Sequence, residues 1–131
     1  MSSDGTCVLD KETGLVWERS PSSKGVPYTW ADAVEYAYRK TLGGRKGWRL
    51  PTIEELASLV DYGQRDPSLP PDNPFKLVDY GIVGYWTVST INASDPHLAW
   101  KVFFHDGFID GEDKSHGGYV WCVRGGHAYD H

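Results

Sequence analysis

A chain of 131 residues has the length of one domain and enough of it to bury a sizeable core. Its 13 Lys and Arg against 18 Asp and Glu give a formal net charge of −5 with no basic cluster. That balance excludes partners held by dense cations: nucleic acid, heparin-like polyanions and acidic membrane surfaces. Aromatic residues at 14%, with 15 Gly and 8 Pro, point to a sheet-rich fold with much irregular chain and to surfaces that bind through rings.

From the start, Thr6 to Asp10 reads as a short strand, Asp10 to Gly14 as a turn, and Leu15-Val16-Trp17-Glu18 as a strand with Leu15 and Trp17 on one face. Ser20 to Tyr28 is loop. Thr29 caps a helix with Asp32 at its third position, and Trp30, Ala33, Val34, Ala37 and Tyr38 form its apolar stripe. Arg39 and Lys40 suit the helix dipole in the last turn, and Gly43-Gly44 ends the element.

The next stretch, Gly47-Trp48-Arg49-Leu50-Pro51-Thr52-Ile53-Glu54-Glu55-Leu56, is a structural corner. Thr52 and Glu55 have capping-box spacing, and Pro51 holds the entering chain extended. The spacing predicts a helix over Ile53 to Tyr62, closed by Gly63, with Ile53, Leu56, Leu59 and Val60 on one face. Trp48 and Leu50 point one way and bury beneath that helix. Arg49 points the other way, toward a carboxylate or a run of carbonyls.

Asp61 to Gly84 is irregular, because Pro67, Pro70, Pro71 and Pro74 bar helix and central strand; Leu69, Phe75, Leu77 and Val78 are its expected anchors. Period two follows. Tyr85 to Ser89 and Leu98 to Phe104 read as strands, with Trp100, Val102 and Phe104 sharing a face. His105-Asp106-Gly107 is a hairpin turn, Phe108-Ile109-Asp110 begins the return, and Tyr119 to Arg124 closes the sheet by alternating Tyr119, Trp121 and Val123 against Val120, Cys122 and Arg124. Two helices and an antiparallel meander give an α+β domain over residues 1–131, with a core at 6–125 and a tail at 126–131. No apolar run is long enough for a transmembrane helix, and Met1-Ser2-Ser3-Asp4 lacks the basic start and apolar stretch of a signal peptide.

Metal and nucleophile patterns are sparse. Asp106, Asp110, Glu112 and Asp113 form an acidic hairpin that reads as a solvated face, with an irregular calcium site as the alternative. As an EF-hand loop it places Phe108 and Gly117 where ligands belong. The five His lack zinc spacing, no Gly-x-Ser-x-Gly occurs, and Cys122 sits among apolar residues, so neither a cofactor nor catalysis is expected. Asn92-Ala93-Ser94 matches a glycosylation sequon by chance. Trp17, Trp48, Trp86 and Trp100 read as core, with Trp30 and Trp121 left open.

Gly-Trp-Arg-Leu-Pro-Thr-x-x-Glu-Leu at 47–56 resembles the signature of the bacterial Lcl C-terminal-like domain family, a domain of unknown function. Thr13 to Trp17, Thr29-Trp30-x-x-Ala33, Tyr85-Trp86-Thr87, Ala99-Trp100-x-Val102-x-Phe104-x-x-Gly107 and Tyr119-Val120-x-Cys122-Val123-Arg124 follow in the family's order. The resemblance implies a C-type-lectin-like fold: two helices on a small twisted antiparallel sheet, long irregular loops and paired terminal strands. It also implies an exported protein, at the cell surface or in the periplasm, whose signal is cut off or lies in a larger parent chain. Such domains bind rather than catalyse, so the expected role is ligand binding or adhesion toward a carbohydrate or protein.

The calcium-lectin motifs Glu-Pro-Asn, Gln-Pro-Asp and Trp-Asn-Asp are missing, so recognition without them is expected. A structural or oligomerisation cap is the alternative role. Formylglycine-generating enzymes share the broad fold but need a cysteine pair near the C-terminus, where this chain has one cysteine. In the lectin-like layout the recognition face comprises the Thr90 to His97 loop, the His105 to Asp110 tip and parts of the Asp61 to Gly84 excursion. The candidate ligand-binding residues are Asn92, Asp95, His97, His105, Asp106, Asp110 and Trp121. The same layout sets the terminal strands side by side, where Cys7 and Cys122 are either buried thiols or a disulfide.

Overall fold

A computed structural model describes residues 2–3, 6–21, 26–77, 83–92 and 95–125, with backbone alone for residues 2, 3, 90–92 and 95. In chain order its elements are β1 (Ser2–Ser3), β2 (Cys7–Leu9), β3 (Leu15–Glu18), α1 (Trp30–Arg39), α2 (Ile53–Ala57), β4 (Tyr85–Asn92), β5 (Asp95–Val102), β6 (Ile109–Asp113) and β7 (Val123–Gly125). The class is α+β, but the strands form two antiparallel sheets rather than one, ordered β1-β2-β3-β7 and β4-β5-β6. The segment expected to close a single sheet serves both. Tyr119 bridges to Tyr85 at the start of β4, and β7 then pairs with β3. Val78 and the 126–131 tail lie outside the described residues. Among the described residues no helix is long and apolar enough to cross a membrane.

The first strand does not pair with the last. The Asp10–Gly14 turn, closed by Asp10 N–H to Leu15 O at 2.8 Å, folds β2 back on β3, and this local hairpin places β3 between β2 and β7. Cys7 is opposite Glu18, whose N–H in turn donates to Cys122 O at 3.2 Å. The two cysteines are therefore about two strand spacings apart, roughly 9–10 Å, beyond the reach of a disulfide. No disulfide joins them.

Thr29 Oγ1 caps α1 by accepting from Asp32 N–H at 3.4 Å. Ala33 and Ala37 of the expected stripe are fully buried and Trp30 and Val34 partly so, whereas Tyr38 is 79% exposed. At 100° per residue the Trp30-Val34-Tyr38 row drifts away from the Ala33-Ala37 line, leaving Tyr38 about 120° from the buried centre. The second helix is also shorter than expected. Ser58 caps it, Leu59 and Val60 N–H groups turn back three residues, and Asp61 N–H leaves to bond Ser68 O at 2.9 Å.

The corner before α2 is complete. Thr52 Oγ1 accepts from Glu55 N–H at 3.2 Å, and Glu55 Oε1 accepts from Thr52 N–H at 2.9 Å. The same carboxylate receives the Arg49 fork at 2.8 and 2.9 Å. Arg49 also donates to Leu50 O and Gly125 O, while its backbone pairs both ways with Val123. Burial opposes ionisation of Glu55, but the Arg49 bonds and the Thr52 amide outweigh it and hold the carboxyl below its ordinary value.

Two cores flank the 119–125 segment. Trp121 and Val123 join Leu15, Trp17, Leu56, Tyr85 and Phe104 in one. Val120 and Cys122 join Ala33, Ala37, Trp48, Leu50 and Trp86 in the other, so the predicted alternation holds with both faces buried. Trp48 and Leu50 thus bury against α1 rather than beneath α2. Trp100, expected in the core, is half-buried.

Thr52→Ala is expected to cost about 1 kcal/mol in urea unfolding through loss of the cap. Glu55→Gln is expected to lower stability at neutral pH, with a sign set by its lowered folded pKa. The stabilisation is full above about pH 4.5, the ordinary value, and fades as pH falls through the folded value. Urea unfolding at pH 7 and pH 3 checks this: the gap between the two proteins should narrow in acid.

Candidate functional site

The β5–β6 connection is built as the Asp-Gly pair dictates. Phe103 N–H donates to Phe108 O and Gly107 N–H to Phe103 O, both at 2.8 Å, and Asp106 Oδ1 accepts from Phe108 N–H at 3.0 Å. Gly107 has φ +87°, and a Cβ there would meet Val60 Cγ1 at 2.9 Å and the Tyr62 ring at 3.2 Å. Glycine is therefore required twice over, by backbone angle and by contact.

That contact belongs to a longer seam. Asp66 N–H donates to His105 O at 3.1 Å and Ser68 N–H to Phe104 O at 2.7 Å, while His105 Nδ1 meets the Asp66 carboxylate. The irregular excursion is thereby fastened to the hairpin tip. Tyr62, 70% exposed, and Phe108, 69% exposed, stand at the seam with Ile109 next in line. Exposed rings on the two joined segments, with Asp106 and Asp110 flanking Phe108 in the chain, offer groups fit for stacking and hydrogen bonding.

Of the expected recognition residues, His105, Asp106 and Asp110 lie on or next to this tip. The Thr90 to His97 segment is not a loop: β4 runs to Asn92, β5 starts at Asp95, and those two are register partners. The side chains of Asn92 and Asp95 lie outside the described residues, as do Ala93 and Ser94 of the sequon. His97 is exposed on β5, and its carbonyl accepts from Lys114 N–H. Trp121 is not a ligand-binding residue. It is fully buried, donates to Glu18 O at 2.9 Å and packs edge-on to Trp17 and Phe75 at centroid distances of 5.7 and 4.9 Å.

The acidic hairpin does not converge on a cation. Asp106 and Asp110 accept from the N–H groups of Phe108 and Gly111, and Glu112 holds Lys101 Nζ at 2.7 Å. Asp113 accepts from Ser115 N–H and Oγ, which keeps its carboxyl below the usual range. Among the described residues no group of three His, Cys, Asp or Glu is arranged to hold a metal ion. Lys101 itself is buried, its Nζ also donating to Gly117 O at 2.6 Å and lying 4.4 Å from the Trp86 ring centre. Burial and the neighbouring Glu18 push the Cys122 thiol well up, which leaves it a poor nucleophile.

Phe108 lies within the expected recognition face and Tyr62 in the excursion that was expected to contribute to it, but neither was named as a candidate: Tyr62 was assigned to a helix end and Phe108 to a strand start. The one available signal was an apolar residue placed directly after Asp-Gly, where a polar one is usual. Sequence reasoning placed Arg39, Lys40 and Arg49 individually but missed that five cations fall together within Arg39 to Arg49. Arg39 pairs with Glu35 at 2.7 Å, Lys40 with Glu18 at 3.0 Å and Arg49 with Glu55, so most of that charge is matched locally. Burial works against the Lys40 charge, but Glu18 and the Tyr36 hydroxyl outweigh it and keep its pKa raised. The surface also carries a cleft of about 530 Å³ lined by Tyr38, Arg39, Lys46 and Gly47, and a second of about 340 Å³ between the end of α2 and the excursion.

A family model, the Lcl C-terminal domain, matches residues 6–124, nearly the whole chain. A search of the curated proteins gave no match.

Gly107→Ala is expected to cost about 1–3 kcal/mol, because it forces a side chain into a left-handed angle and against Val60. Thermal unfolding measures the loss, and amide exchange should locate it at Asp66, Ser68 and Gly107.

Proposed function

Because the chain belongs to the Lcl C-terminal domain family, we propose that it is a non-catalytic binding or adhesion module on a C-type-lectin-like scaffold, part of an exported or surface protein. The ligand is a carbohydrate or a protein, taken at the tip where the excursion meets the β5–β6 hairpin. One observation carries this reading: Tyr62 and Phe108 stand exposed on the two segments joined by the seam, whose main-chain bonds hold the backbone nearby. A backbone already fixed by the seam lowers the ordering cost of binding, and the exposed rings offer apolar area for a ligand to cover. The α+β architecture with a long irregular excursion before the second sheet supports the scaffold assignment. Local neutralisation of Arg39, Lys40 and Arg49 supports a ligand other than nucleic acid.

A glycan array followed by calorimetry on the best binder tests the reading. Tyr62→Ala and Phe108→Ala should each weaken binding at least about fivefold while melting temperature holds, the loss expected of a central aromatic contact. Unchanged affinity in both variants would refute the tip as the site.

A further inference from the structure

The lining of the smaller cleft includes neither tip ring, and most of it is apolar. Ser58 and Leu59 stand on one side, at the end of α2; Leu69, Pro70, Pro74 and Phe75 give the other side its apolar surface, and the volume is about 340 Å³. Asn73 makes this wall rigid by donating Nδ2–H to Pro70 O at 2.8 Å and accepting from Phe75 N–H at 2.9 Å. Leu69 is buried and Phe75 packs into the Trp121 cluster, so the floor belongs to the core. The cleft is thus preformed, and a ligand entering it pays little to organise it.

Its charge is equally simple. Asp72 is the one ionisable residue in the lining and is exposed. Among the described residues its carboxylate has no hydrogen-bond or ion-pair partner. An apolar trough with a lone carboxylate and no cation is complementary to an alkyl chain ending in a positive charge. A lysine fits this pattern, its methylene stem against Leu59, Leu69 and Phe75 and its ammonium at Asp72. The volume exceeds one lysine stem, which leaves room for a neighbouring apolar side chain.

We propose that this cleft seats a lysine, flanked by an apolar residue, from an extended segment of a partner protein. The assignment rests on the cleft lining alone and is independent of the tip rings.

Titration of the isotope-labelled protein with Ac-Leu-Lys-Leu-NH2, followed by amide chemical shifts, tests it. Shifts are expected at Leu59, Leu69, Asn73 and Phe75. Replacing the lysine by norleucine or glutamate should weaken binding about three- to fivefold, the range of an exposed ion pair. Asp72→Asn should abolish the preference for lysine over norleucine, and its own spectrum reports that the fold is kept. Phe108→Ala should bind the peptide unchanged, which separates this site from the tip. Equal binding of lysine and glutamate peptides, or an Asp72→Asn protein that still prefers lysine, would overturn the proposal. Butylammonium binding as tightly as the peptide would overturn it too, since a small amine rather than a protein segment would then be the ligand.

Discussion

One carboxylate, that of Glu55, is shared between an arginine fork and a helix cap, and much of the fold is arranged about it. Through Arg49 it reaches the extended arm paired with β7; through Thr52 it fixes where α2 begins. Trp48 and Leu50 on one side of this corner enter one core, and Leu56 on the other side enters the second. A rotation at the corner would therefore misplace side chains in both cores at once. Charge-assisted bonds in a half-buried site suit that role, since they fix direction as well as proximity.

The closing segment works with the corner. Residues 120–123 alternate between the two cores, and Glu18, almost fully buried, ties the segment to α1 by accepting from Cys122 N–H at 2.6 Å while facing Lys40. Lys101 performs a similar task in the second sheet, between Glu112, Gly117 O and the Trp86 ring. Each buried charge here has its partner. Removing one member of such a pair leaves the other stranded in an apolar setting, the costlier of the two ways to lose an ion pair.

Local chemistry was readable in the sequence. Thr52 and Glu55, Leu15 to Glu18, the Thr29 cap and the His105-Asp106-Gly107 turn depend on neighbours within a few residues, and each stands as the residues dictate. What escaped was non-local. Strand order failed because the Asp10–Gly14 hairpin preempted a long-range pairing. The helix after Thr52 stopped early because Asp61 found a partner seven residues on, which no periodicity announces. Trp121 was ambiguous because a ring on a strand looks the same whether it faces ligand or core. The tip surface was half legible: its hairpin was evident, whereas Tyr62 arrives only because the excursion folds over Gly107.

The seam between excursion and tip relies on main-chain groups: Asp66 and Ser68 amides meet the carbonyls of His105 and Phe104. Main-chain bonds are indifferent to the side chains that hang from them. Between the Asp61 and Ser68 attachments, exposed Tyr62 and Arg65 and half-exposed Gln64 can be exchanged without disturbing the frame. The molecule thus separates what must stay constant from what can vary, giving one scaffold the means to present many different faces.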